Sequence, residues 1–261
     1  MFPNFSELVM LKGWGLRPET FSSPISAAMA RHRPHGTCGG EPILAWHVLR
    51  KKGAIVYFYT RKALADAMKL MYERGLVSAF AGNISVRLQD GMAITPSGVH
   101  RHLLDVDDIV VVDWEGRRKW GKRKPSSEWR MHAAIYRARK DVYAVVHAHP
   151  RAVVALSELG FSPRGLAETK LFFRDNIPLI EKLPPGSEKL AEATSEALRS
   201  GGKAAVLASH GAVTLGRDVW EAEGLMEVLE EAAEILLFSL APSAAQGLYR
   251  RKNMFYRLDY L

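Results

Sequence analysis

Apolar residues along the central part of the chain repeat with the periods of helices and strands. A helix over residues 61–74 is predicted because apolar side chains recur there at helical spacing: Leu64, Ala67, Met68 and Met71. Further helices are predicted over 127–139, 187–199 and 218–240, and strands over 84–88, 92–95, 109–113, 142–149 and 204–208. Turn signals such as Gln89-Asp90-Gly91 favour hairpins between neighbouring strands. We therefore expect an α/β fold in which helices cover a mixed or antiparallel sheet.

Residues 1–58 show no sustained period of either kind. They contain five prolines and the glycine-rich segment Gly36-Thr37-Cys38-Gly39-Gly40. Both features favour turns and irregular backbone over regular elements. We expect residues 1–58 to form a poorly ordered N-terminal extension and residues 59–261 to form the folded domain.

The composition is that of an ordinary globular protein, with 48% apolar and 25% charged residues. Cys38 is the only cysteine, which excludes an internal disulfide and suits a reducing compartment. No apolar run approaches the ~20 residues that a membrane span requires, and the N-terminus lacks the layout of a signal peptide. We expect a cytoplasmic protein with no membrane partner.

The net charge of +8 raises the question of nucleic-acid binding. Residues 1–60 hold seven Lys or Arg against three Glu, which accounts for half of the excess. The remaining basic clusters are short and lie near turn signals or the C-terminus. This distribution favours solvated loops over a basic groove, so we expect no nucleic-acid partner.

Three histidines follow two of the predicted strands. His147 and His149 end the strand over 142–149, where alternation places both imidazoles on one face, roughly 6.6 Å apart. His210 follows the next apolar strand, and Glu128 opens a helix shortly upstream. Taken alone, the His-x-His motif could also be two exposed histidines at the end of a strand. Three imidazoles and one carboxylate together, however, are the ligand set of a catalytic zinc-type site. We predict one shared metal and rings within about 8 Å of one another.

Three polar segments offer neutral donors to an anion. They are Gly82-Asn83-Ile84-Ser85, Thr95-Pro96-Ser97-Gly98 and Pro125-Ser126-Ser127-Glu128. Each is also ordinary turn or capping sequence, with Ser127 as the N-cap of the helix over 127–139. The third is the best anion candidate, because two hydroxyls meet the free amides of a helix N-terminus. His132, one helical turn after Glu128, is either a further ligand or, as we favour, a histidine packed at a helix interface.

In this order the motifs resemble the class II aldolase/adducin family. The segments GNISVRLQDGMAITPSG and KPSSEWRMH carry the resemblance most clearly, and it covers about residues 61–240. Within the family they look most like members that cleave L-fuculose 1-phosphate.

The resemblance implies a fold, an assembly and a set of site residues. The fold would be a three-layer α/β/α domain with a central, largely antiparallel sheet, assembled as a homotetramer with sites at subunit interfaces. One Zn²⁺ per subunit, or another divalent metal, would be held by His147, His149 and His210. Glu128 would be a labile fourth ligand and the catalytic acid/base. The substrate phosphate would be bound by Asn83, Ser97, Gly98, Ser126 and Ser127.

The implied reaction is reversible cleavage of L-fuculose 1-phosphate, or of a related ketose 1-phosphate. The products would be dihydroxyacetone phosphate and an aldehyde such as L-lactaldehyde. A Lewis-acid metal would stabilise the charge left on the dihydroxyacetone phosphate fragment, and Glu128 would transfer the proton. No Schiff-base lysine is then required.

Two departures from the family concern the aldehyde end of the substrate. Those aldolases use a tyrosine some twenty residues after the His-x-His motif as proton donor, whereas residues 150–180 contain no tyrosine and Glu168 lies near the corresponding place. The C-terminal segment also differs, although it offers three tyrosines that could cover a site: Tyr249, Tyr256 and Tyr260.

Other activities on the same scaffold remain open. They are a pentulose-phosphate 4-epimerase, a methylthioribulose-1-phosphate dehydratase and a sugar-acid phosphate decarboxylase. The epimerases resemble this chain with Ser-Ser-Asp in place of Ser126-Ser127-Glu128, which favours the aldolase. A non-catalytic adducin-type interaction module would be expected to lack the three histidines that this chain retains.

Overall fold

The computed structural model describes the backbone of residues 43–245 and the side chains of residues 57–240. Its helices are α1 (Ile43–Glu73), α2 (Trp129–Ala138), α3 (Arg151–Glu158), α4 (Ala167–Phe173), α5 (Glu188–Ala197) and α6 (Val219–Ala245). Its strands are β1 (Asn83–Leu88), β2 (Gly91–Ile94), β3 (Val110–Asp113), β4 (Arg118–Trp120), β5 (Ala144–Ala148), β6 (Leu179–Ile180), β7 (Ala204–Leu207) and β8 (Gly211–Gly216). Two 3₁₀ turns, Arg101–Leu103 and Val106–Asp108, connect β2 to β3.

In this part of the chain the strands form one sheet with the order β4-β3-β2-β1-β5-β8-β7-β6. Neighbouring strands are antiparallel except β6 and β7, which are parallel. The predicted hairpin joins β1 to β2 through Gln89 and Asp90. The expected α/β fold with a largely antiparallel sheet is confirmed.

Different helices cover the two faces of the central strands. On one face Val145 and Val213 belong to a buried cluster with Ile135 of α2 and with side chains of α5. The intervening residues of β5 and β8 point to the other face, where α6 packs. There the Thr214 hydroxyl donates to the carbonyl of Ala222 at 2.6 Å. Both faces of these strands are buried, and each fully buried aliphatic side chain contributes about 1.5–3 kcal/mol.

The first helix begins earlier than predicted. The hydrophobic period predicted a start near residue 61, but α1 already runs from Ile43. The chain contains no proline between Pro42 and Pro96, so nothing in the covalent backbone prevents this extension. The predicted disorder of residues 1–42 lies outside the described residues, so the division into an extension and a domain stays a prediction. Among the described helices none is long and apolar enough to span a membrane.

Several short elements were not predicted. Strand β8 is bounded by glycine at both ends, and β4 is exposed along its whole length, so neither gave a clear hydrophobic pattern. Strand β6 has only two residues, too few to show an alternation. Helices α3 and α4 span eight and seven residues, too few for a helical period to be recognised. The remaining predicted helices and strands are present with boundaries shifted by a few residues.

Gly91 allows close approach of β2 to β3. A Cβ at this position would lie 1.9 Å from the carbonyl oxygen of Val112, in a paired strand that cannot withdraw without breaking its ladder. We expect Gly91→Ala to lower the free energy of unfolding by roughly 1–3 kcal/mol, measured by urea denaturation. Gly224 in α6 is the control, because a Cβ there meets no atom within 4 Å and alanine should be neutral or stabilising. Equal stability of the two variants would contradict the steric explanation.

Candidate metal centre

Four predicted ligands meet beside the sheet. One ligand atom from each of Glu128, His147, His149 and His210 can be chosen so that all four lie within 4.8 Å of one another. The three imidazole centroids are 4.8–4.9 Å apart, well within the predicted limit. The Nε2 atom of His147 lies 3.1 Å from Oε2 of Glu128 and 3.1 Å from Nε2 of His149. A set of three imidazoles and one carboxylate at these distances could hold a divalent metal.

Strand β5 places the first two histidines. Its pairing sets His147 opposite Asn83 of β1 and opposite Val213 of β8, so this residue is fixed from both sides. His147 is fully buried, and its Nδ1 atom donates to the carbonyl of Ala212 at 2.9 Å. His149 lies just beyond the end of β5, and its backbone amide donates to Leu76. The bond from Nδ1 leaves the Nε2 lone pair of His147 facing the cluster.

The third histidine comes from the turn between β7 and β8. Ser209 adopts a left-handed conformation with φ 59°, and its amide donates to the hydroxyl of Ser157 in α3. His210 follows, with its amide bonded to the carbonyl of Leu207. The next residue is Gly211, where a Cβ would lie 2.1 Å from the carbonyl oxygen of Ala148. Only glycine therefore lets the end of β8 reach the end of β5, which carries the His-x-His motif.

Glu128 lies at the start of α2, but not as predicted. The helix begins at Trp129 with Glu128 as its N-cap residue, and no side chain caps it. Ser127 is therefore not the N-cap. Instead the hydroxyl of Ser126 accepts from the amide of Glu128 at 3.2 Å. This local bond holds the backbone just before α2, and the Glu128 carboxylate faces the histidines, with its Oε2 atom 3.1 Å from Nε2 of His147.

The electrostatics keep two imidazoles neutral and the carboxylate ionised. Burial, reinforced by His147, lowers the pKa of His149 to about 3 and that of His210 to about 4. Burial also opposes ionisation of Glu128, but the facing His147, the Asn83 amide and His210 outweigh it and hold the pKa of Glu128 well below its usual range. In return the carboxylate raises the pKa of His147 against its burial. Neutral imidazoles and an ionised carboxylate are the forms that bind a metal.

Two buried atoms of this cluster have no hydrogen-bond partner among the described residues. They are Oε1 of Glu128 and Nδ1 of His210. A buried carboxylate oxygen without a donor is costly unless a cation occupies the space before it. The residues present therefore fit a bound metal.

A row of buried polar side chains continues from Glu128 into the core. The amide of Asn83 donates to Oε2 of Glu128 at 2.9 Å, and its Oδ1 accepts from Nε2 of His132 at 2.5 Å. The Nδ1 atom of His132 lies 2.7 Å from the hydroxyl of Ser85, which lies 2.9 Å from the hydroxyl of Tyr136. Asn83 must present its NH₂ group to Glu128, because its carbonyl oxygen would repel the carboxylate. His132 is therefore a packed residue that orients this amide.

The predicted phosphate-binding residues lie on three adjoining loops. The hydroxyl of Ser97 donates to the carbonyl of Pro125 and accepts from the amide of Ser127. Ser126 is buried and engaged with Glu128, whereas Gly98 and Ser127 are exposed. Ser97 therefore joins two of the loops, while Gly98 and Ser127 face outward. That these residues bind phosphate stays a prediction.

Sequence reasoning missed the partners that hold the site together. Glu128, His132 and Tyr136 recur every four residues along α2, while Asn83 and Ser85 alternate along β1. A polar stripe on one helix and a polar face on one strand, read together, could have predicted this row of hydrogen-bonded side chains. Arg101, whose guanidinium binds the carbonyls of Phe80, Ala81 and Pro96, gave no such signal.

Comparison with known proteins agrees with this geometry. The family profile "Class II Aldolase and Adducin N-terminal domain" matches residues 62–237. The chain belongs to the class II aldolase and adducin family. An L-fuculose phosphate aldolase of Haemophilus influenzae is 34% identical over 192 residues, which cover 73% of this chain and 88% of the relative.

Two further similarities bear on the activity. A 5-methylthioribulose-1-phosphate/5-deoxyribulose-1-phosphate aldolase of Rhodospirillum rubrum is 39% identical over 175 residues, covering 67% of this chain and 78% of the relative. The crystal structure of the L-fuculose-1-phosphate aldolase of Thermus thermophilus aligns with TM-score 0.64 and 34% identity, over 74% of this chain and 98% of that one. The protein is a class II, metal-dependent aldolase, a carbon–carbon lyase.

His132 gives the site a measurable pH dependence. Burial lowers its pKa from 6.5 to about 3, so between these values the unfolded chain binds a proton that the folded protein excludes. The free energy of unfolding should therefore fall as the pH drops below 6.5, by up to about 1.4 kcal/mol per pH unit for this group. In His132→Gln this contribution disappears, although the amide can still donate to Asn83. Urea unfolding of the metal-depleted proteins at about pH 7 and pH 5 measures it, and equal slopes would contradict the assignment.

Proposed function

We propose that the protein is a zinc-dependent aldolase that cleaves L-fuculose 1-phosphate, or a related ketose 1-phosphate, to dihydroxyacetone phosphate and an aldehyde such as L-lactaldehyde. The observation that carries the proposal is the cluster of Glu128 with three histidines, directly joined to the loops of the predicted phosphate site. Asn83 bonds to the Glu128 carboxylate, and Ser126 bonds to its amide. Metal, acid/base and phosphate donors would then act on one small substrate.

The proposed metal ligands are His147, His149 and His210, with Glu128 as the fourth. Three imidazoles and a carboxylate suit zinc, although other divalent metals accept the same set. When bound, the metal would supply Lewis-acid stabilisation of the negative charge that develops on the substrate during carbon–carbon cleavage.

The proposed acid/base is Glu128. In synthesis its ionised carboxylate can accept a proton from the carbon of dihydroxyacetone phosphate that becomes C3 of the ketose, and in cleavage it returns that proton to the same enediolate carbon. Asn83 holds one carboxylate oxygen by a 2.9 Å hydrogen bond, which keeps the group in place when it no longer contacts a metal. The other oxygen has no donor among the described residues and is available to the substrate.

The proposed phosphate site comprises Asn83, Ser97, Gly98, Ser126 and Ser127. Asn83 has a second amide hydrogen beyond the one given to Glu128, and Ser127 is exposed at the start of α2. Backbone amides at a helix start add the positive end of its dipole. Assembly as a homotetramer with sites between subunits, and a cytoplasmic location, remain predictions from the resemblance and the composition.

The proton donor to the aldehyde oxygen is not assigned. Glu168 is exposed in the first turn of α4, and the three C-terminal tyrosines lie outside the described residues. The named relatives include aldolases for both fuculose phosphate and methylthioribulose phosphate.

The substrate is tested by assaying the metal-loaded protein with four ketose 1-phosphates. We expect fuculose 1-phosphate, or one of the ribulose, rhamnulose and methylthioribulose 1-phosphates, to release dihydroxyacetone phosphate, measured by coupled reduction to glycerol 3-phosphate. Chelation should abolish the activity and added zinc should restore it. An epimerase or dehydratase would consume substrate without releasing dihydroxyacetone phosphate, and that result would refute the aldolase proposal.

The role of Glu128 is tested by Glu128→Gln. We expect the variant to retain much of its metal, because the three imidazoles remain, while cleavage falls by ~10²–10⁴-fold, as is typical of lost proton transfer. Glu188→Gln is the control, since Glu188 is an exposed acid in the first turn of α5 and should leave turnover unchanged. A folded, metal-loaded Glu128→Gln protein with near-native turnover would exclude the mechanism.

A further inference from the structure

Arg101 is a buried cation with no acidic partner within residues 57–240. Only 3% of the residue is exposed, and none of the ion pairs among the described residues includes it. Its guanidinium donates to three backbone carbonyls: Phe80 at 3.0 Å, Ala81 at 3.0 Å and Pro96 at 2.9 Å. Burial lowers the pKa of Arg101 to about 10, so it stays charged at neutral pH. Carbonyl dipoles offset only part of the cost of such a charge.

The three carbonyls belong to the loops that carry the proposed phosphate site. Phe80 and Ala81 precede Gly82-Asn83, and Pro96 precedes Ser97-Gly98. The backbone amide of Arg101 adds a fourth bond, to the carbonyl of Ala79 at 2.8 Å. Arg101 therefore joins the first loop to the second, just as Ser97 joins the second to the third.

We infer that Arg101 is a positioning residue of the phosphate site, and that its charge is compensated by the substrate phosphate. This inference rests on the proposed function, because it takes the bound anion to be the phosphate of a ketose 1-phosphate. A phosphate monoester is close to a dianion at neutral pH, and the donors proposed to touch it are neutral. A buried guanidinium behind them supplies the attraction they lack, and it is weakly screened because water is excluded.

Arg101→Met tests this inference, with Arg101→Lys as the variant that keeps the charge. In Arg101→Met we expect inorganic phosphate, as a competitive inhibitor, to bind about tenfold or more weakly. The KM of the ketose 1-phosphate should rise in parallel, while kcat changes far less. The ratio of kcat/KM for the phosphorylated and unphosphorylated ketoses should fall by a similar factor. General damage to the fold would lower both values of kcat/KM and leave that ratio unchanged.

Arg87→Met is the matched control. Arg87 also donates to three carbonyls, those of Tyr136, Arg139 and Val142, but none of them belongs to the three loops. The variant should lose stability while keeping the wild-type inhibition constant for inorganic phosphate and the wild-type ratio. A shift in Arg87→Met equal to that in Arg101→Met would overturn the inference, as would an unchanged ratio in folded, metal-loaded Arg101→Met.

If Arg101→Met does not fold, Arg101→Lys tests the role of the Arg101 charge in phosphate binding. Lysine retains the charge but cannot bond to three carbonyls at once, so phosphate inhibition should stay within a few-fold of wild type. A folded Arg101→Lys protein with phosphate affinity reduced as far as predicted for methionine would overturn the inference. Failure of the proposed function is distinguishable, since the wild type would then cleave no ketose 1-phosphate in the presence of metal. Binding of inorganic phosphate to the wild type and the variants can still be measured in that case.

Discussion

The candidate site depends on holding several ligand atoms close together, although these atoms repel one another unless a cation lies between them. Nε2 of His147 lies 3.1 Å from Nε2 of His149 and 3.1 Å from a carboxylate oxygen of Glu128. Burial keeps water from separating these atoms, and it also keeps His149 and His210 neutral. The free energy needed to hold such a group together must come from the surrounding sheet. Strand β5 meets this need because it is paired on both sides and its two faces are covered by helices.

The contact between α2 and β1 extends this constraint from the candidate ligands to the proposed acid/base, Glu128. Side chains four residues apart on the helix contact side chains two residues apart on the strand. The buried polar atoms of this row are joined by hydrogen bonds from Tyr136 as far as the Glu128 carboxylate. Partly satisfied buried networks are destabilising, whereas a satisfied one fixes a single arrangement. The row therefore points Asn83 and Glu128 toward the candidate metal cluster, and the carboxylate oxygen without a partner among the described residues is the one proposed to react.

Hydrogen bonds between loops fix the residues of the proposed phosphate site relative to one another, as strand pairing fixes the candidate metal ligands. Arg101 ties the loop before Asn83 to the loop before Ser97, and Ser97 ties that loop to the start of α2. Three segments distant in sequence thereby form one surface. The same bonds connect this surface to Glu128 through the Ser126 hydroxyl. A change in any of these loops would therefore affect both the proposed phosphate site and the position of Glu128, the proposed acid/base.

The sequence by itself determined the helices and strands with clear periods, the alternation that places His147 and His149 on one face, and the four residues of the candidate metal cluster. These follow from local rules, because the spacing of side chains along a helix or strand does not depend on the rest of the fold. It misplaced the start of α1 and missed β4, β6, β8, α3 and α4, whose patterns are short or interrupted by glycine. Only the tertiary structure decided that His132 orients Asn83, that Glu128 and not Ser127 precedes α2, and that Arg101 is buried with no acidic partner in the part of the chain that the structure describes. Each depends on which backbone groups approach from distant segments, and a linear pattern of residue types carries no record of those distances.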